Sequence, residues 1–229
     1  MTPTYLLHIE RFVSADPFQE NCYVVSLAAP KNADAGGAGS RPCWIIDPGN
    51  SAGAVIEAVR TRGLTPAGIL LTHGHFDHIA GIPAIRQAWP DVPICIGRSE
   101  ADALESPRMN LSASFGVAAR LADRPTRLLD GGEELALGGV TFRAILAAGH
   151  SPGGMCYHCP ASEDLFSGDV LFAESVGRTD LPGGDGPLMF ANIRDKLMVL
   201  PAETRVWPGH GPATIIGREK TDNPFLAEM

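Results

Sequence analysis

Three imidazoles and one carboxylate fall within six consecutive residues, His73-Gly74-His75-Phe76-Asp77-His78. Nitrogen and carboxylate donors at this density are what a borderline divalent cation such as zinc needs. Three later positions repeat one local grammar, in which an apolar strand is followed by a small residue and then by a side chain able to ligate. They are His150 after Gly149, Asp169 after Gly168 and His210 after Gly209. With the first cluster they make a candidate ligand set of His73, His75, Asp77, His78, His150, Asp169 and His210. Five of the seven histidines are used in this way. The other two, His8 and His158, lie in strand patterns without a neighbouring glycine and read as structural.

The elements that must position these donors follow from pattern. Tyr5 to Val13, Cys22 to Ala28 and Cys43 to Asp47 are rich in β-branched and aromatic residues and read as strands. The Gly/Ala/Pro-rich stretch 30–42 between the last two reads as an exposed flexible loop. After Ser51, a good N-cap residue, Ala52, Val55, Ile56 and Val59 recur at helical spacing, which predicts a helix over 52–62. Residues 67–72 form an apolar run, hence a buried strand, and the ligand cluster follows it directly. Ile79, Ile82, Ile85 and Trp89 predict a helix starting near Asp77. The cluster therefore sits on a strand-to-helix turn at the carboxyl end of a buried strand, where sites gather in layered α/β folds.

Segment 97–123 reads as helix and loop. From Leu128 onward short strands dominate: 135–137, 140–147, 155–159, 164–167 and 205–207. Met189, Ile193, Leu197 and Leu200 mark one more amphipathic helix. This order predicts an α/β fold with two mixed sheets packed together and helices outside, a four-layer αββα sandwich, as one domain over 1–229.

The chain has 229 residues, 45% of them hydrophobic, and a net charge of −8. That is enough to bury a sizeable core, while the acidic balance argues against nucleic-acid or anionic-membrane partners. No basic, apolar leader opens the sequence and no apolar run reaches membrane-spanning length, so a cytoplasmic protein is expected. The five cysteines are odd in number and scattered, which fits a reducing compartment. Cys156 and Cys159 form a CxxC within a strand, where the two positions face opposite sides, and read as core packing.

Further motifs add to the ligand set: Ile46-Asp47-Pro48-Gly49, Gly149-His150-Ser151-Pro152-Gly153, Ser167-Gly168-Asp169, Gly177-Arg178-Thr179-Asp180 and Pro208-Gly209-His210-Gly211-Pro212. With the 72–78 segment, these make the chain resemble the metallo-β-lactamase-fold hydrolases, and within them the short glyoxalase II-like, or hydroxyacylglutathione hydrolase-like, proteins. The resemblance implies two divalent metal ions, zinc by default with iron or manganese as the other choices. His73, His75 and His150 would hold the first, Asp77, His78 and His210 the second, and Asp169 would bridge them. It implies thioester hydrolysis by a hydroxide held between the metals, with S-2-hydroxyacylglutathione as substrate. Asp77 would orient that hydroxide and Asp47 would back a ligand imidazole. The chain ends 19 residues past His210 (229 − 210), so the helical domain that carries the glutathione-binding basic residues in full-length glyoxalase II is expected to be absent. Arg178 and Lys220 are the nearest substitutes. The alternatives are a mononuclear iron persulfide dioxygenase, a lactonase or β-lactamase, and a metal-binding sensor without turnover.

Overall fold

The computed structural model describes residues 7–15, 17–28, 41–121 and 124–227. Tyr5 and Leu6 of the first expected strand, and residues 30–40 of the expected loop, lie outside them; Arg41 and Pro42 open a strand instead.

Six strands form the first sheet, in chain order: β1 (Leu7–Val13), β2 (Asn21–Leu27), β3 (Arg41–Ile46), β4 (Leu64–Leu70), β5 (Ile94–Gly97) and β6 (Arg127–Leu129). The first two pairings are antiparallel and the other three parallel. The second sheet contains β7 (Glu134–Leu137), β8 (Val140–Leu146), β9 (Met155–Cys159), β10 (Asp164–Gly168), β13 (Arg205–Pro208) and β14 (Thr214–Ile215), in the order β14-β13-β10-β9-β8-β7. Its one parallel pairing is β10 with β13. A hairpin of β11 (Leu171–Phe172) and β12 (Ser175–Val176) stands apart.

Alternation along the strands decides the layers. Tyr23 and Val25 of β2, with Phe142 and Ala144 of β8 and Tyr157 and Cys159 of β9, fill the space between the sheets. Cys22 and Val24 face the other way, onto α1 (Ala52–Thr61), α2 (Phe76–Ile79) and α3 (Ile82–Ala88). On the far side Cys156, Leu165 and Val206 pack against α4 (Gly186–Asn192) and α5 (Ile216–Asp222). The architecture is an αββα sandwich of two mixed sheets. Cys156 and Cys159 fall in different core layers, as a strand's two-residue period requires. All five cysteines are buried and unpaired. Among the described residues no helix is long and apolar enough to cross a membrane.

Three local expectations change. Ser51 makes no side-chain capping bond; its hydroxyl is buried without a partner. The helix expected from Asp77 is two helices, because Pro83 in a continuous helix would clash with the carbonyl four residues back. It sits instead in the first turn of α3, where its missing N–H costs nothing. The 189–200 helix runs from α4 into one wider turn (Ile193–Leu197), which keeps Met189, Ile193 and Leu197 fully buried and leaves Leu200 beyond its end.

Candidate metal centre

Every candidate ligand lies just past the carboxyl end of a strand. His73 and His75 are in the loop after β4, and Asp77 and His78 open α2. His150 follows β8, Asp169 follows β10 and His210 follows β13. The two sheets thus contribute at one edge of the sandwich. Cross-sheet bonds fix that edge: Tyr157 Oη donates to the Leu71 carbonyl and Tyr23 Oη to the Pro208 carbonyl, each at 2.7 Å.

Three groups of donor atoms converge, with all atoms of each group within 4.8 Å of one another: His73, His75 and His150; His73, His78 and Asp169; Asp77, His78 and His210. Asp169 is central. Its Oδ1 lies 3.5 Å from His78 Nε2, and its Oδ2 lies 3.6 Å from His150 Nε2 and 3.5 Å from His210 Nε2.

Hydrogen bonds behind the rings set the tautomers. His150 Nδ1 donates to the Arg178 carbonyl at 2.8 Å and His210 Nδ1 to the Phe18 carbonyl at 3.1 Å. His78 Nδ1 donates to Asp47 Oδ2 at 3.1 Å. Each bond leaves the ring's Nε2 as a lone-pair donor aimed inward. Asp47 itself is at φ 50°, a left-handed conformation that aspartate tolerates better than most residues. Its carboxylate also accepts from Thr72 N at 2.7 Å and Thr72 Oγ1 at 2.6 Å, so it locks the loop that starts the cluster.

Charges inside the cluster are uneven. Burial, reinforced by His78 and the other imidazoles, holds His73 well below the usual histidine range. Burial and His150 push His75 down to about 3. His78 goes the other way: burial opposes its protonation, but Asp77, Asp169 and Asp47 outweigh it. His210 is likewise raised, by Asp77 and Asp169 against burial. Burial raises Asp77, but His78 and His210 outweigh it and hold the carboxyl well below the usual range.

Bound divalent metal fits these residues. His73 Nε2 and Asp169 Oδ1 are buried with no hydrogen-bond partner. His75 Nδ1 faces His150 Nε2 at 3.1 Å, and His78 Nε2 faces His210 Nε2 at 3.3 Å. Orphaned acceptors, and ring nitrogens crowded this closely, are costly when buried, unless a cation lies between them.

Two cavities open beside His75. One of about 320 Å³ is lined by the contacting rings of Phe18, Phe76 and Phe115 and by Asp77, His150, Asp169 and Arg178. The other, of about 370 Å³, is lined by Glu100, Ser106, Arg108 and Met109. Arg178 is thus brought to the cleft, with its guanidinium paired to Asp180 at 2.7 and 2.8 Å. Lys220 is not. It reaches the Leu200 carbonyl at 3.3 Å and lines neither cavity, because α5 packs on the outer face of the second sheet. His8 pairs with Arg62 at 2.5 Å, and His158 lines a groove of about 480 Å³ with Lys196 and Leu200, away from the cluster. Glu20, Glu100 and Arg108 were not foreseen. Glu20 is fully buried and its backbone pairs with that of His210 in an isolated antiparallel bridge, yet nothing in its local sequence marks it.

A profile for the metallo-beta-lactamase superfamily matches residues 15–210. The chain belongs to the metallo-beta-lactamase superfamily. The chain is 38% identical over 187 residues to YqgX of Bacillus subtilis (strain 168), described as a probable metallo-hydrolase; the match covers 80% of this chain and 87% of YqgX. It is 36% identical over 211 residues to the hydroxyacylglutathione hydrolase GloC of Haemophilus influenzae, covering 91% and 93% of the two chains. Among solved structures, the BLEG-1 B3 metallo-beta-lactamase superposes with a TM-score of 0.84 at 38% identity, over 97% of this chain and all of that one. TTHA1623 in a di-iron-bound form gives 0.79 at 36% identity, over 95% and 100%. Fold, family and donor cluster agree on a metallo-hydrolase.

Proposed function

We propose that this metallo-hydrolase is dinuclear and cleaves thioesters, with S-2-hydroxyacylglutathione as its substrate. The observation that carries the reading is the sharing of Asp169: one carboxylate reaches histidines of both outer donor groups, as two adjacent cations require. His73, His75 and His150 would hold one ion and Asp77, His78 and His210 the other, with Asp169 between. Bound there, the pair would supply Lewis acidity and ionise water near neutral pH. Zinc suits the donors; the di-iron form of TTHA1623 makes iron the competing occupant.

The chain's own residues do the rest. Water adds to the thioester carbonyl, the C–S bond breaks, and the proton released by water ends on the departing thiolate. Asp77 stays ionised, so its Oδ2 accepts a hydrogen bond from the attacking water and orients it. The phenylalanine side of the cavity receives the alkyl part of the 2-hydroxyacyl group. On the other side of His75, Arg108 replaces Lys220 as the cation for a substrate carboxylate, having no acceptor of its own among the described residues. The likeness to GloC supports the substrate class. The free buried cysteines support a reducing, cytoplasmic setting, and the net charge of −8 supports a small-molecule enzyme over a nucleic-acid or anionic-membrane binder.

Free-thiol release from S-D-lactoylglutathione by metal-loaded protein, before and after chelation, tests this reading. Chelator-sensitive release is expected. A metal-loaded protein that releases no thiol but opens a chromogenic β-lactam would favour the second reading, which the BLEG-1 likeness supports.

A further inference from the structure

Glu100 is a buried carboxylate outside the donor cluster. It lies in the tight helical turn Arg98–Leu104 that follows β5 and is 3% exposed. Both of its oxygens are spent on backbone. Oε2 accepts from Gly74 N at 3.1 Å and Oε1 accepts from Gly153 N at 2.7 Å. Gly74 separates His73 from His75, and Gly153 lies three residues past His150. The first loop leaves β4 of one sheet and the second leaves β8 of the other. A single side chain therefore spans the two halves of the sandwich at the point where the first donor group converges.

Packing makes the tie tight. A Cβ added at Gly74 would sit 2.5 Å from Ala103 Cβ and 3.2 Å from Glu100 Oε2, and one at Gly153 would sit 3.1 Å from Glu100 Cγ. Both loops press flush on the turn, so neither slides without breaking a charge-assisted bond. Among the described residues no carboxylate makes an equivalent tie to the loops of the second group from this side. His78 is held by Asp47 and His210 by the Phe18 carbonyl.

We propose that Glu100 is a positioning residue that sets the separation between His73/His75 and His150 and so tunes metal affinity at that group alone. The proposal rests on the assignment of these three histidines as ligands of one ion. Two backgrounds separate the donor groups. His210→Ala disables the second group and leaves the first; His150→Ala does the reverse. Zn2+ affinity is measured by chelator competition in each, with and without Glu100→Gln. The amide keeps one acceptor but turns an N–H2 toward the other N–H donor.

In the His210→Ala background Glu100→Gln is expected to weaken Zn2+ binding at least tenfold, the usual cost of losing a group that orients a ligand. In the His150→Ala background the change stays under threefold. Equal losses in both would mean a general structural defect and would overturn the proposal, as would no loss in either. If His210→Ala protein with Glu100 intact binds no Zn2+, the ligand assignment itself fails, and the proposal with it. Amide exchange in chelator-treated wild type needs no variant: Gly74 and Gly153 N–H are expected to stay protected without metal, and free exchange of either would overturn the tie.

Discussion

At the scale of single residues, the candidate centre is a problem of buried charge. Asp169 faces three imidazoles that belong to two donor groups. Asp169→Asn preserves volume and removes the charge, so occupancy at both positions is expected to fall after dialysis, with kcat/KM down by roughly a thousandfold or more. Retention of both metals by that variant would refute the bridging role. Glu20 poses the opposite case. Burial, with Asp47, Asp77 and Asp169 adding to it against His78, raises its carboxyl from 4.5 to about 9, and neither oxygen has a partner. In chelator-treated protein the folded state therefore keeps a proton that the unfolded chain releases. Stability is full below the unfolded value and falls as pH rises from about 4.5 toward 9. Glu20→Gln should flatten that slope and raise metal-free stability at pH 8 by on the order of 2 kcal/mol, with little change at pH 4.5. Urea unfolding at the two pH values reads this directly, and equal slopes in the two proteins would contradict it.

At the scale of elements, the site was legible where it is written locally and illegible where it is not. The small-residue-then-ligand pattern could be read because each donor must leave a strand end through a turn with no room for a side chain. Gly209 shows the reason: a Cβ there would run into Asp169 Oδ1 and lie 2.8 Å from His78 Cε1. Gly209→Ala is expected to lower metal affinity more than tenfold and to cost about 1–3 kcal/mol of stability through overpacking. Gly53, exposed in α1 with open space around it, is the contrast. Gly53→Ala should add about 0.5–1 kcal/mol through helix propensity and leave metal content unchanged. Thermal unfolding and metal analysis of the pair check both. Periodicity placed the buried faces of α1 and α4 and most strands. It missed the break at Gly81, because the hydrophobic spacing of Ile79, Ile82 and Ile85 runs through it and only Pro83 marks the restart. It also missed Glu100, whose partners are backbone N–H groups 26 residues before and 53 residues after it. Lys220, offered only through the family resemblance as a substitute cation, instead reaches the Leu200 carbonyl from a helix packed on the outer face of the second sheet. Such facts are set by which loops the sheets bring together, and no local pattern encodes them.

At the scale of the whole molecule, the two sheets deliver chemically different donor groups to one edge. In the group fed by His73, His75 and His150, burial keeps the His73 and His75 rings uncharged, so those two are ready to ligate at neutral pH. In the group of Asp77, His78 and His210, neighbouring carboxylates raise both imidazoles, and a cation must displace protons that these rings hold. The sign follows: a raised histidine stays protonated to higher pH, so acid competes with metal more strongly at this second group. Protein loaded with two equivalents of Zn2+ and dialysed between pH 8 and pH 5.5 is expected to lose one ion before the other. The early loss should vanish in His210→Ala protein, which lacks the second group, and persist in His150→Ala protein. Calorimetric titration at pH 7 in two buffers of different ionisation enthalpy should show proton release confined to the weaker phase. Simultaneous loss of both ions along one curve would mean that Asp169 couples the two positions so tightly that the molecule binds its metals as a single unit, and the division of the edge into two groups would then have no thermodynamic content.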